Sequence, residues 1–185
     1  GVAVNPDRVA DVKYMEVYER EFNSVTAENA MKMANIVTGI DSQMNISYDW
    51  SKADAIVDYA EAKGMNIHGH ALVWHESVPN DLQNFSGTDA EFEAIVEDYI
   101  TTVVTRYKGK IDSWDVVNEA ISDGSSSLRP TIFRQKMGEN YVEKCFQFAR
   151  DADADVKLFY NDYNMVTDGL KRSGALTLVD GLMAK

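Results

Sequence analysis

Asn118 and Glu119 close an apolar run, Trp114-Asp115-Val116-Val117, that reads as a buried strand. An amide and a carboxylate at the C-terminal tip of such a strand sit where parallel α/β sheets and barrels keep their chemistry. A carboxyl group there can give and take a proton, and an amide can fork hydrogen bonds to hydroxyls. For one isolated pair the plain alternative is a solvated loop acid beside a helix N-cap. Three further clusters weigh against it. Glu28 and Asn29, with Lys32, follow the strand-like residues 22–26. His68, His70, Trp74 and His75 fall in and just after residues 65–74, and Asn161-Asp162-Tyr163-Asn164 follows residues 156–160.

Each cluster also has a dull reading. His68 and His70 alternate on a strand and so share a face. Such a pair could begin the metal site of a zinc amidohydrolase, but that site needs later histidines, and the third and last here is His75. His68 is expected in the core and His70 in the cavity, and no metal is expected. Lys32 could be a surface i,i+4 partner of Glu28, Trp74 a core residue, and Tyr163 a loop aromatic. Taken together, Glu, Asn, Lys, His, Trp and Tyr on one rim offer hydrogen-bonding forks for hydroxyls and flat apolar faces for sugar rings. That is carbohydrate chemistry.

The elements that must position these residues alternate strictly. Strand-like runs at 2–4, 22–26, 65–74, 111–117 and 156–160 are hydrophobic on both faces, as in a parallel sheet covered by helices. Ser51 with Asp54 reads as a helix start, with Ala53, Ile56, Val57 and Ala60 as its buried stripe and Gly64 as its stop. Thr88 with Glu91 forms a capping-box pattern before an apolar stripe from Phe92 to Val104, and Gly109 ends that element. Further helices are expected over 139–152 and from about Asp168 onward. There is no GxGxxG or GxxxxGKS stretch of the kind an open nucleotide-binding sheet would carry. An open sheet gathers its ligand at one switch point, whereas a barrel collects residues from many strand ends. The expectation is an α/β chain forming about the first five β/α units of an incomplete (β/α)8 TIM barrel, within a single domain over 1–185.

The 185 residues carry a formal charge of −12 with acids spread along the chain. A net anion attracts neither nucleic acid nor an anionic membrane, so neither is expected as a partner. Cys145 is the only cysteine and falls in a helical pattern, where it reads as a small buried hydrophobe. No apolar run approaches the ~18 residues of a membrane span, and no leader pattern is seen at Gly1.

Four motifs now carry a specific resemblance. Residues 22–29 (FNSVTAEN) with Met31-Lys32, then HGHALVWH at 68–75, WDVVNEA at 114–120 and LFYNDYN at 158–164 occur in order along nearly the whole chain. Together they resemble the family-10 glycoside hydrolases, best known as endo-β-1,4-xylanases. The resemblance implies retaining hydrolysis of internal β-1,4-xylosidic bonds in xylan or xylo-oligosaccharide, without cofactor. It implies that Glu119 is the general acid/base and Asn118 the residue holding the 2-hydroxyl of the sugar at the cleavage point. Glu28, Asn29 and Lys32 match residues gripping the next sugar on the non-reducing side. His70 and Trp74 match the lining of the cleavage subsite, and Tyr163 and Asn164 lie toward the leaving group. A secreted or periplasmic location is expected because the polymer cannot enter a cell intact.

Two departures touch fine specificity. Glu76-Ser77-Val78-Pro79-Asn80 stands where family members often carry Gln and then a Trp beyond the Pro, and residues 36–48 lack the usual Pro and Glu-Gly pattern. The family's nucleophilic Glu lies in a TELD-like segment of the seventh strand, which does not occur here. The resemblance therefore implies that a further barrel segment, in the same or a second chain, supplies it, and that the chain alone is inactive and poorly folded. A non-catalytic xylan-binding remnant, or a metal-dependent amidohydrolase using His68 and His70, are the competing readings. Binding without sugar release would mark the first, and bound zinc the second.

Overall fold

The computed structural model describes residues 1–184. Its centre is a parallel sheet. Strands β1 (Val2–Val4) and β2 (Ser24–Ala27) pair through Val2 with Val25 and Val4 with Ala27, and helix α1 (Val12–Glu21) connects them. A short helix α2 (Met33–Ile36), a hairpin of β3 (Val37–Ile40) and β4 (Ile46–Tyr48), and helix α3 (Ser51–Ala62) lead to β5 (Asn66–Gly69), which pairs with β2. Next come β6 (Val73–Trp74), a short α4 (Asn80–Gln83), the long α5 (Asp89–Arg106) and β7 (Ser113–Asn118). After α6 (Ile132–Met137) and α7 (Tyr141–Ala152), β8 (Lys157–Asn161) and α8 (Gly169–Met183) complete the described chain. The sheet runs β1-β2-β5-β7-β8, with β6 also on β7, and every pairing in it is parallel. Five strand–helix units in sequence order build the N-terminal part of a (β/α)8 barrel, as expected.

Burial follows the sequence stripes. Ile56, Val57 and Ala60 of α3, Phe92 through Val104 of α5, and Tyr141, Val142, Cys145 and Ala149 of α7 bury against Val25, Ile67, Val116 and Val117 of the sheet. Cys145 is fully buried in that layer. The Thr88–Glu91 capping box forms at the start of α5. One residue shows how tightly sheet neighbours meet. Gly69 pairs with Trp114, and a Cβ at 69 would come within 2.1 Å of the indole, so only glycine leaves room for that ring.

Several local expectations are corrected. Residues 65–74 are two strands, not one. The chain leaves β5 at His70, where the His70–Ala71 peptide is cis, and the Leu72 amide then donates to the Asp115 carbonyl, bringing Trp74 beside Asn118. Ser51 and Asp54 form no capping box: Asp49 accepts the Ser51 amide, and Asp54 turns to the Arg106 guanidinium and the Tyr107 hydroxyl. The helix expected over 139–152 starts at Tyr141, after the separate α6. The β3–β4 hairpin was not anticipated. Its β-branched residues flank a turn in which Asp41 accepts the amides of Gln43 and Asn45 and Met44 takes φ 68°.

Candidate active site

Parallel strands present their C-terminal ends together, and four of the sequence clusters meet there. Glu28 and Asn29 lie just past β2, Trp74 ends β6, Asn118 ends β7 with Glu119 following, and Asn161 ends β8. The register pairs Trp74 with Asn118 and Asn118 with Asn161.

Glu119 is the centre of the arrangement. Its Oε2 accepts the Trp74 indole N–H at 3.0 Å, and its Oε1 accepts the Asn118 Nδ2 amide at 3.3 Å. Asn118, 3% exposed, in turn accepts from Asn161 Nδ2 at 2.8 Å. The backbone of Glu119 takes φ 57°, in the left-handed region. For a residue with a Cβ that conformation costs roughly 1–2 kcal/mol, so neighbours must hold it. Its N–H donates to the Asn161 carbonyl at 2.8 Å, and its carbonyl accepts Arg129 Nε at 3.2 Å. Arg129 also donates to the Ile121 carbonyl. The strand thus delivers the carboxylate, and the two groups on either side of its peptide fix its direction.

On the β2 side, Lys32 Nζ donates to Asn29 Oδ1 at 2.8 Å and lies 4.6 Å from the Trp74 ring centroid. Burial pulls the Lys32 ammonium below its usual value, against the opposing attraction of Glu28 and Glu119. Lys32 is therefore joined to Asn29 and to Trp74, and through Trp74 to Glu119. Glu28 and Asn29 themselves are exposed at the rim.

His68 of β5 and His70, the residue just past it, share one carboxylate. Asp115 Oδ2 lies 2.8 Å from His70 Nδ1 and 3.0 Å from His68 Nε2. The other ring nitrogen of His68, Nδ1, lies 2.7 Å from the Ser113 hydroxyl, so the imidazole bridges Asp115 and Ser113. Burial would raise the Asp115 carboxyl, but the hydrogen bonds from His68 and His70 outweigh it and hold the group low. The expectation of His68 in the core is not met, because its side chain is partly open, like that of His70, and both reach Asp115. Among the described residues no three His, Cys, Asp or Glu side chains are arranged to hold a metal ion. His75 is half-buried beside Glu76, its Nδ1 without a hydrogen-bond partner among the described residues, and burial with the nearby Arg129 charge lowers its pKa.

On the far side, Tyr163 donates to Asp123 Oδ2 at 2.5 Å and accepts from Arg129 at 3.5 Å. It joins the cluster through Arg129. Asn164 is exposed with φ 60°, and its carbonyl accepts the amides of Thr167 and Asp168. Sequence reasoning assigned no role to Asp115, Arg129 or Lys171. Asp115 had a visible signal, a lone acid in an apolar strand opposite two alternating histidines. Arg129 had a weak one, since Leu128-Arg129 agrees with the family pattern without a role attached, and Lys171 had none, since it reads as an ordinary cation on a helix.

Residues 1–185 match the description Glycosyl hydrolase family 10. The chain belongs to that family. Among its relatives, a β-1,4-xylanase of Dictyoglomus thermophilum is 42% identical over 173 residues, covering 93% of this chain and 47% of the relative. Xylanase 10B of Thermotoga petrophila RKU-1, solved in complex with xylobiose, superposes with a TM-score of 0.91 at 37% identity, over 100% of this chain and 55% of that one. An intracellular xylanase of Thermoanaerobacterium saccharolyticum, solved with xylotriose, superposes with a TM-score of 0.90 at 34% identity, over 100% of this chain and 59% of that one. The family-10 chain described here thus spans about half the length of these relatives. No helix among its described residues is long and apolar enough to cross a membrane.

Proposed function

We propose that this chain supplies the proton-donor side of a retaining endo-β-1,4-xylanase, with xylan or xylo-oligosaccharide lying across the C-terminal ends of the strands. One observation carries the reading. The Glu119 carboxylate is gripped by side-chain donors from two neighbouring strands, Trp74 and Asn118, on a backbone itself clamped at both ends. Such fixation suits a group that must meet a leaving oxygen at one place.

In the reaction, Glu119 gives its proton to the departing glycosidic oxygen while a second carboxylate attacks the anomeric carbon and forms a glycosyl-enzyme. Glu119 then takes a proton from the water that displaces that carboxylate, and the anomeric configuration is retained. The second carboxylate would lie roughly 5–5.5 Å from Glu119. It is assigned to further β/α units, in the same or a second chain, that close the barrel by pairing with β1 and β8, the two ends of the sheet order. Asn118 holds the 2-hydroxyl at the cleavage point, and Glu28, Asn29 and Lys32 hold the next sugar toward the non-reducing end. His70 and the face of Trp74 line the cleavage subsite. Tyr163 and Asn164 stand on the leaving-group side. No metal or organic cofactor takes part in these steps. The size of the polymer supports a secreted or periplasmic location, although one relative is described as intracellular.

The test is Glu119→Ala in the full-length protein. Loss of a general acid lowers kcat/KM on xylo-oligosaccharide by about 10²–10⁴-fold. An aryl xylobioside with a dinitrophenolate leaving group, which needs no proton, loses far less. Near wild-type cleavage of xylo-oligosaccharide by the variant would overturn the reading.

A further inference from the structure

Lys171 is a residue for which the proposed chemistry has no direct use, and its side chain is 0% exposed. A buried ammonium is costly unless paired, so its partners reveal what it is for. Nζ lies 2.7 Å from Asp123 Oδ1 and 2.8 Å from Asp162 Oδ1, and 3.4 Å from the Tyr163 ring centroid. Burial alone would depress this ammonium, but the two carboxylates hold it above its usual value.

Both carboxylates lead back to Glu119. The other oxygen of Asp162 accepts the Tyr160 hydroxyl at 2.5 Å, and that hydroxyl oxygen accepts the Ile121 amide at 3.2 Å. The other oxygen of Asp123 accepts the Tyr163 hydroxyl, which accepts from Arg129, and Arg129 donates to the carbonyls of Glu119 and Ile121. Two routes therefore leave one ammonium and converge on residues 119–121. The N-cap and first two turns of α8 grip the loop after β7 in two more places. Asp168 Oδ2 accepts the Gly124 amide at 2.7 Å, and Gly174 packs so closely that a Cβ there would meet the Ser126 carbonyl oxygen at 2.5 Å. A backbone held at φ 57° needs such bracing, since the intrinsic preference of a glutamate runs against it.

We infer that Lys171 is a positioning residue for Glu119, acting through Asp123, Tyr163 and Arg129 on one side and Asp162 and Tyr160 on the other. The inference rests on the reading of Glu119 as acid/base. Lys171→Met keeps the length of the side chain and removes the charge that ties the two routes together. Displacing a catalytic group by a fraction of its working distance costs up to about 10²-fold in rate.

The experiment compares kcat/KM of the full-length wild type and Lys171→Met on xylohexaose and on a dinitrophenyl xylobioside, alongside thermal unfolding. With Glu119 misplaced, xylohexaose cleavage falls about 10- to 100-fold while the activated glycoside changes less than about threefold. A merely structural role would lower both substrates together or move only the unfolding temperature, and either result overturns the inference while leaving the proposed function standing. Should Lys171→Met not fold, Tyr160→Phe decides. It deletes only the hydroxyl between Asp162 and Ile121, and the same split in smaller degree is expected, equal loss on both substrates being the contrary result. A wild-type protein that releases no sugar from xylohexaose overturns the reading of the site and this inference with it.

Discussion

The indole N–H of Trp74 points at Glu119 Oε2 from 3.0 Å, so the residue that reads as a sugar platform is also a hydrogen-bond donor to the carboxylate. Platform and donor come from adjacent strands whose register pairs Trp74 with Asn118. The break after His70 shifts the register on β7 by one residue, from Gly69 opposite Trp114 to Val73 opposite Val117, so Trp74 meets Asn118 where an unbroken β5 would set it against Glu119.

Trp74→Phe separates the two roles. It keeps an aromatic face and removes the donor. A hydrogen bond to a charged group contributes about 1.5–3 kcal/mol, so kcat/KM on xylohexaose should fall about 10- to 150-fold. Binding of an uncleaved xylo-oligosaccharide, followed by calorimetry, should weaken much less. An equal loss in both measurements would show that the N–H does nothing beyond shaping the platform.

Gly69→Ala tests the packing of β5 on β7. The added methyl would lie 2.1 Å from Trp114 Cε3, and Trp114 is 1% exposed among core side chains that leave it nowhere to go. Overpacking costs about 1–3 kcal/mol and here belongs at the upper end or above. In a domain of about 150–250 residues each kcal/mol lowers Tm by about 2–4 °C, and in a larger one by less. A thermal scan of the variant showing no decrease would mean the sheet can open at this point.

Much of this was legible in the residues. The five parallel units, the α5 capping box and the buried stripes follow from local patterning, which is why the strand–helix alternation needed no tertiary information. The clusters at the strand ends were legible for the same reason, since Glu119 and Trp74 interrupt or terminate apolar runs. Boundaries failed where a long-range contact overrides local preference. The strand over 65–74 looks continuous because every residue in it suits a sheet, yet the Asp115 carbonyl captures the Leu72 amide and forces the split. Asp54 resembles the acid that answers a helix-capping Ser51 but finds a stronger partner in Arg106, more than fifty residues on. Lys171 was invisible because nothing in Gly169–Met183 distinguishes a buried lysine from the solvated cations of an ordinary helix.

Asp115→Asn should destabilise the sheet at its inner face. The carboxylate oxygen accepts from both His68 and His70, whereas an amide offers one oxygen and one NH₂. Both imidazoles bond the same oxygen, Oδ2, so an amide oxygen in its place still accepts from both but without the charge that strengthens those bonds, in a site that is 5% exposed at residue 115. The loss is about 1–3 kcal/mol, read as a lower urea midpoint with an unchanged m-value. An unaltered midpoint would indicate that the charge on the acceptor shared by the two histidines adds nothing to stability.

The Asp123 carboxyl gives a pH signature. Its hydrogen bonds with Lys171, and then with Tyr163, lower its pKa from 3.8 to about 2. A folded-state pKa below the unfolded one means that the unfolded chain binds the proton more readily in this range. The contribution of Asp123 to stability is therefore fully present above about pH 4, shrinks as the pH falls, and is gone once the pH passes below about 2. Asp123→Asn removes the titrating group. The difference in urea midpoint between wild type and variant should be largest near neutral pH and narrow between about pH 4 and pH 3. A difference that stays constant over that interval would mean that Asp123 is not held ionised by Lys171, and would also remove one of the two routes by which that lysine reaches Glu119.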